Sequence, residues 1–169
     1  IAEAGDFSLR LYFLIGLPTE KAEDIRGIYD LVKKIKQVMI KESRSRGRIG
    51  HIRLSVNCFV PKAFTPFQWF GMESIKALKE KQKWLRKAFS REGGVSVSFD
   101  IPKWAYLQAL LSIGDRRTGG ILVKAHEYGD DFSKAFRNSN LNPDFFVLRQ
   151  KSLSEALPWD FIDNGIRKD

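Results

Sequence analysis

Few side chains in this sequence have the types and spacing that enzyme chemistry usually requires. The two histidines, His51 and His126, lie far apart in the sequence, and Cys58 is its single cysteine. A nucleophilic triad needs a histidine beside the nucleophile, and a metal site built on cysteine needs several thiolates. The GxSxG, HExxH, GxxxxGKS/T, CxxC and Rossmann GxGxxG motifs are also absent from the sequence. The sequence therefore argues against a nucleophilic triad, and Cys58 is predicted to be a packed thiol.

One stretch does have the character of a ligand site, namely residues 9–24, LRLYFLIGLPTEKAED. The unbroken apolar run Leu11–Ile15 predicts a strand that is covered on both faces, as in a parallel sheet. Gly16 allows a sharp turn after the strand, and Pro18 fixes the backbone before a helix for which Thr19 is the predicted N-cap. In open α/β sheets and barrels, ligands usually bind at such carboxyl ends of strands.

The turn after this strand is acidic. Glu20, Glu23 and Asp24 suit the positive end of the helix dipole, and they would repel a phosphate group. Carboxylates accept hydrogen bonds from hydroxyl and ammonium groups. The pattern therefore favours a nucleoside or amino-acid ligand over a nucleotide phosphate.

Hydrophobic patterns place this strand in a βαβαβ arrangement. Apolar side chains recur every three or four residues in two long segments, each of which is followed by a segment with the pattern of a strand. This alternation predicts an α/β fold with a parallel sheet. The predicted elements are strands at about 8–15, 51–60 and 95–99 and helices at about 20–41 and 73–91.

Sheet patterns end near Pro102, beyond which the chain is predicted to be helical. We therefore predict two domains, at residues 1–101 and 102–169, the second being a mostly helical C-terminal extension. Arg116 and Arg117 fall in a predicted first turn capped by Asp115, where they oppose the helix dipole, so a carboxylate or anionic partner is expected. A structural ion pair is the commoner explanation.

The segment Asn57–Trp69, NCFVPKAFTPFQW, combines several aromatic side chains with two prolines. A stiff apolar loop at a strand end suits the wall of a pocket for a flat ligand such as adenine. The same composition suits a loop that only closes one end of the core. The residues alone leave both interpretations open.

The chain is strongly basic, since its 169 residues carry a formal net charge of +9 and its pI is near 9.7. This balance favours a polyanionic partner, although ordinary solvated helix surface explains much of it. The loop arginines Arg44, Arg46 and Arg48 are candidate phosphate contacts. Further candidates are the lysines of the 73–91 helix, expected mainly on its solvated face, which are Lys76, Lys79, Lys81, Lys83 and Lys87.

The sequence shows no sign of a membrane or secreted protein. No apolar run approaches the roughly 20 residues needed to span a bilayer, and no signal-peptide pattern opens the chain. A single cysteine cannot form an internal disulfide and suits a reducing compartment, so a cytoplasmic location is predicted. The start at Ile1, without a methionine, is expected of a piece of a longer protein.

Four stretches together resemble a known family. LYFLIGLPTEKAEDIRGI, at residues 11–28, resembles the fifth-strand segment of radical SAM enzymes, particularly those with an upstream cobalamin-binding-type domain. LSVNCFVPKAFTPFQW, at residues 54–69, is similar to the sixth strand and its proline-rich exit. LQALLSIGDRRTGGILVKAHEYG, at 107–129, and ALPWDFIDNGIRKD, at 156–169, are similar to uncharacterised proteins of this branch.

The resemblance implies a partial (β/α)6 barrel, of which the chain would hold the last two strands and the C-terminal extension. In the family, a 4Fe-4S cluster held by a CxxxCxxC motif cleaves S-adenosylmethionine (SAM) reductively to a 5′-deoxyadenosyl radical. That motif is absent here, because Cys58 stands alone. The cluster is therefore expected only in a missing N-terminal part of the protein.

The resemblance also implies which residues contribute to the SAM pocket. Leu14 and Gly16, with the turn through Pro18, would approach the adenosyl group. Glu20 matches the acidic end of the family motif, or serves only the helix dipole. The remaining implied contacts, which would flank adenine through backbone and apolar groups, are Asn57, Phe59 and Val60.

The expected function is that of the C-terminal fragment of a radical SAM, Fe-S oxidoreductase-like enzyme, inactive alone although the full-length protein would be an enzyme. The missing N-terminal half is then the expected partner. Self-association is also expected, because the strand at Leu9–Ile15 would lack a neighbour and expose an apolar edge. The alternative is a basic RNA-binding module, such as one belonging to an RNA-modifying enzyme.

Overall fold

The first half of the chain forms a three-stranded parallel sheet with helical connections. The computed structural model describes residues 8–43, 49–163 and 165. Along the chain, the elements are β1 (Ser8–Ile15), α1 (Ala22–Ser43), β2 (His51–Cys58), α2 (Ile75–Phe89) and β3 (Val95–Phe99). β2 lies in the middle and pairs in parallel with β1 and β3. The predicted α/β class with parallel strands is therefore confirmed, and the barrel stays a prediction.

The second half is helical in the part that the structure describes. Its elements are α3 (Pro102–Ile113), a 3-10 turn (Arg116–Thr118), α4 (Gly119–Glu127), α5 (Phe132–Arg137) and α6 (Pro143–Val147). Asp115 caps the 3-10 turn, accepting a hydrogen bond from the backbone of Arg117. The predicted change to helical structure after Pro102 is confirmed.

One face of the sheet is buried and the other is open to solvent. Side chains alternate between the two faces of a strand, and in β2 every second side chain is buried. The apolar side chains of β2 on the buried face are Ile52, Leu54, Val56 and Cys58. We call the opposite side the open face; its residues are Ser8, Arg10, Tyr12, Leu14, His51, Arg53, Ser55, Asn57, Ser96 and Ser98.

The helices α1 and α2 supply the apolar surface that covers the buried face. In α1 the predicted stripe is confirmed, with Ile35 half-buried and its other members buried; these are Ile25, Ile28, Val32 and Met39. In α2 the buried residues are Leu78, Gln82, Leu85 and Phe89. Burial of such stripes is the main source of stability for helices that pack on a sheet.

The prediction that β1 is covered on both faces is wrong. Tyr12 and Leu14 lie on the open face, where their side chains are 67% and 50% exposed. The unbroken apolar run arose because residues of both faces are apolar, whereas α1 and α2 cover only one of them. β1 pairs with β2 alone among the described strands, and self-association through its other edge stays a prediction.

The chain divides into two compact units, and each is described by itself. The first unit comprises Ile1–Phe59 and Glu73–Trp104, and the second comprises Val60–Met72 and Ala105–Asp169. The boundary near residue 104 lies close to the predicted domain boundary. The proline-rich segment from Val60 to Met72 belongs to the second unit, which also holds most of the helical C-terminal part.

In the second unit, the buried side chain of Gln68 connects two segments that are far apart in the sequence. Its Oε1 accepts hydrogen bonds from the indole Nε1 of Trp159, at 2.7 Å, and from the backbone of Phe64, at 3.1 Å. Trp159 packs in an apolar cluster with Ile113 and Leu157. The segment that follows β2 thus contributes to a hydrophobic core, as expected of a loop that closes part of a core.

Arg117 has the carboxylate partner that its position in the first turn predicts. Its guanidinium forms an ion pair with Asp115, with Nη2 2.7 Å from Oδ2, and lies over the ring of Phe146. The contact is therefore the expected structural ion pair. Across the described ranges, no helix is long and apolar enough to cross a membrane.

Candidate functional site

The carboxyl end of β1 is closed by a side chain that follows it. Gly16 adopts a left-handed backbone conformation with φ +81°, which glycine tolerates best. Both carboxylate oxygens of Glu20 lie 3.0 Å from the Gly16 backbone nitrogen and accept its hydrogen bond. The backbone nitrogen of Glu20 also donates a hydrogen bond to the carbonyl of Leu17, which closes the turn. The predicted sharp turn is therefore present, and Glu20 holds it in place.

Glu20 is itself held by an ion pair from α2. Its side chain is only 5% exposed, and Lys81 Nζ lies 2.5 Å from its Oε1. The same ammonium group lies 2.7 Å from Glu73 Oε2. Burial alone would lower the pKa of Lys81, but its hydrogen bonds to Glu20 and Glu73 outweigh burial and raise it. Lys81 thus stays charged and neutralises Glu20, whereas Glu23 and Asp24, the other acidic residues of the predicted rim, are exposed.

The expectation that Lys81 lies on the solvated face of α2 is therefore wrong. A signal for its position does exist in the sequence. Lys81 follows Leu78 by three residues and precedes Leu85 by four, so it lies within the buried stripe of the helix. A lysine in such a stripe needs a carboxylate partner, because a buried unpaired ammonium is costly.

The prediction that Thr19 is the N-cap of α1 is wrong, because α1 begins at Ala22. Thr19 instead adopts a left-handed conformation with φ 67°, which is uncommon for a residue other than glycine. Asp24 accepts a hydrogen bond from the backbone of Lys21 at 2.8 Å, close to the helix start. Glu20 lies outside the helix, and its carboxylate contacts the Gly16 backbone and Lys81.

A cavity of about 380 Å³ lies beside this turn. It is lined by the end of β1, by the turn, and by the first turns of α1. Leu14 faces it from the open face of the sheet, and Pro18 contributes to its wall. The lining residues are Phe13, Leu14, Leu17, Pro18, Thr19, Glu20, Asp24 and Ile28. Three of the predicted SAM contacts, Leu14, Pro18 and Glu20, thus line one cavity, and Gly16 forms the turn next to it.

The end of β2 brings a second predicted contact to the same edge of the sheet. Asn57 is exposed on the open face and is the register partner of Leu14. Phe59 extends the pairing, since its backbone nitrogen donates to the carbonyl of Ile15 at 2.8 Å, but its side chain is buried. Val60 is half-buried and begins the second unit, so its predicted contact with adenine stays a prediction.

Beneath Asn57, on the buried face, Cys58 lies in a small polar cluster. Gln82 Nε2 donates to the Asp100 carbonyl at 2.8 Å and lies 3.7 Å from Cys58 Sγ. Burial, followed by the charge of Asp100, raises the pKa of the Cys58 thiol to about 11. Cys58 is therefore the packed thiol that the sequence predicts, and its raised pKa keeps it protonated. No group of three or more histidine, cysteine or acidic side chains in the described ranges could hold a metal ion.

We expect Cys58 to react about 100-fold more slowly than an exposed cysteine with a thiolate-selective reagent at pH 8. Only the thiolate is nucleophilic, and a pKa near 11 leaves very little of it, while burial limits access. Reaction with dithiobisnitrobenzoate, followed in the native chain and again in denaturant, measures this ratio. Rapid labelling of the native chain would contradict the assignment.

The only structural support for RNA binding is the exposure of several basic side chains. Lys76, Lys79 and Lys83 are exposed on one side of α2 and line a shallow groove. The loop arginines Arg44, Arg46 and Arg48 lie outside the described residues. His126 is exposed on α4. Binding of RNA therefore stays a prediction.

Comparison with known proteins gives one relative and no family. The chain is 30% identical, over 165 residues, to an uncharacterized protein of Methanocaldococcus jannaschii, and the match covers 95% of this chain. The chain spans 30% of the length of that relative. No protein-family model matches the chain. No solved structure matches it either.

Proposed function

We propose that this chain is the C-terminal part of a radical SAM enzyme and that the carboxyl ends of β1 and β2 form one wall of its SAM pocket. The observation that carries the proposal is the pairing of Leu14 with Asn57 on the open face, beside the cavity at the Gly16 turn. A purine ligand needs an apolar surface for its ring and a few polar groups for its edge. Leu14 offers the first and Asn57 the second.

The arrangement of the sheet supports the partial barrel. In a (β/α) barrel, parallel strands carry helices on their outer side and turn the other face towards the interior. Here α1 and α2 cover one face, and the open face carries Tyr12, Leu14 and polar residues. A face of that composition suits the interior of a barrel completed by further strands. The Methanocaldococcus jannaschii relative, of which this chain spans 30%, has ample chain for such strands.

The residues at this edge suit the adenosyl part of SAM. Pro18, which follows the Gly16 turn, lines the cavity, and the paired Glu20 leaves the rim less acidic than its sequence implies. SAM and a 4Fe-4S cluster would supply the radical chemistry, and the cluster ligands would have to come from residues outside this chain, whose single cysteine is Cys58. The residues of this chain would hold and orient the adenosyl group. The buried free thiol of Cys58 supports a cytoplasmic location.

Titration of the 169-residue chain with millimolar SAM, followed by heteronuclear NMR, tests the proposal. We expect the largest shifts at Leu14, Gly16 and Asn57, with weak affinity because only one wall of the pocket is present. Leu14→Lys should remove these shifts, because it places a charge where the apolar ring would lie. Leu31→Lys, at an equally exposed apolar position on α1, is the matched control and should retain them.

Shifts that are absent in the wild type, or unchanged in Leu14→Lys, would contradict the pocket. A second measurement addresses the missing half of the enzyme. After reconstitution with iron and sulfide, the isolated chain is expected to show no Fe-S absorbance and no cleavage of SAM. If the isolated chain bound a cluster and cleaved SAM, the proposal that it is non-catalytic alone would be wrong.

A further inference from the structure

Two arginines lie side by side on the open face, away from the strand-end cavity. Arg10 of β1 and Arg53 of β2 are register partners, and Arg53 is in turn paired with Ser96 of β3. All three side chains are exposed. Beside these residues, His51 Nε2 lies 2.9 Å from Ser96 Oγ, so side chains of this face contact each other across strands. We call Arg10, Arg53, Ser96 and His51 the arginine row.

Such a pair of like charges is unfavourable unless something neutralises it. Neighbouring strands lie about 4.8 Å apart, so side chains on register partners start close together, and like charges at such a separation repel each other. No strand residue of the open face is a carboxylate. Within the described residues, neither Arg10 nor Arg53 has an ion-pair partner. The row therefore presents two positive charges with no anion beside them in this part of the chain.

We propose that the arginine row binds the phosphate group of a small ligand. Two guanidinium groups present two planar forks of N–H donors, which match the oxygens of a tetrahedral oxyanion. A phosphate with two negative charges balances both arginines, whereas one carboxylate would balance only one of them. Ser96 and His51 add a hydroxyl and an imidazole at the edge of the row.

This site is distinct from the proposed SAM wall and does not depend on it. Arg10 precedes Leu14 by four residues, which corresponds to about 13 Å along a strand. Both lie on the open face, so a ligand held at the row could extend along the sheet towards the Gly16 turn. The acidic residues of that turn are at the other end of β1 and do not repel an anion at the row.

Thermal unfolding in sodium phosphate, compared with sodium chloride at the same ionic strength, tests the site. We expect a saturable rise of the melting temperature in millimolar phosphate. At ten times the dissociation constant, the ratio of folded to unfolded chain should increase roughly 11-fold. Arg53→Gln should abolish this phosphate dependence, and it should raise the melting temperature in chloride because the repulsion from Arg10 is lost.

Arg91→Gln is the matched control, since it removes the same charge from an exposed arginine outside the open face. It should keep the phosphate dependence. Equal phosphate dependence in Arg53→Gln and the wild type, or no saturable effect in the wild type, would overturn the proposal. Stabilisation by polyglutamate without any by phosphate would overturn it as well, because the row would then bind an acidic polypeptide.

Discussion

Replacing Lys81 with methionine is expected to lower the free energy of unfolding by about 2 to 3 kcal/mol. The change preserves most of the apolar stem but leaves Glu20 buried without its cation and close to a second carboxylate, Glu73. Removing one partner of a largely buried ion pair costs more than the pair contributes, because the remaining charge is desolvated. Urea unfolding, with its linear dependence of free energy on denaturant, measures the loss.

Two controls separate this ion pair from a general effect of charge. Lys79→Met alters an exposed lysine of the same helix and should change the free energy by no more than about 0.5 kcal/mol. Glu73→Gln keeps the Glu20 contact and removes the more exposed carboxylate, so its cost should stay below about 1 kcal/mol. Equal losses in Lys81→Met and Lys79→Met would mean that the contact with Glu20 contributes nothing.

Replacing Gly16 with alanine is expected to cost about 2 to 4 kcal/mol. A left-handed conformation disfavours any side chain by roughly 1 to 2 kcal/mol. In addition, a Cβ atom at Gly16 would lie 2.7 Å from Leu78 Cδ2, which belongs to a fully buried side chain of α2. The turn would have to shift, or α2 would have to move. Unfolding by urea, monitored by circular dichroism, measures the total.

The conformational and steric parts of this cost can be measured separately. Gly94 has a similar φ of +75°, but nothing lies within 4 Å of its hypothetical Cβ, so Gly94→Ala should show the conformational part alone. Combining Gly16→Ala with Leu78→Ala removes the close contact and should recover about 1 kcal/mol or more as coupling energy. Additive effects of the two changes would contradict the assigned overlap.

The sequence predicts the elements of the sheet well and their environment less well. The stripe from Ile25 to Met39 and the alternation at Val95–Phe99 are local patterns, and both elements form as expected. The apolar run of β1 did not reveal which face is covered, because apolar and aromatic side chains, including Tyr12 and Leu14, occur on both of its faces. Which face of a strand is covered depends on where the helices pack, and the sequence of the strand alone does not determine this.

The candidate site shows the same division. The sharp turn at Gly16 could be predicted, because a glycine after an apolar strand is a local signal, and so could the acidic character that Glu20 gives to the residues after it. The ion pair of Glu20 could not be predicted, because its partner Lys81 is 61 residues away in the sequence. The N-cap prediction for Thr19 failed because Thr19 adopts a left-handed conformation and the helix begins only at Ala22.

That separation of 61 residues also constrains the order in which the chain can fold. A chain leaving the ribosome exposes β1 and the Gly16 turn well before α2 has been made. Until α2 docks, Glu20 has no cation, and the loop-closure entropy of bringing Lys81 to it has not been overcome. The end of β1 is consequently completed late in synthesis, after the strand that it terminates has been available for pairing with β2.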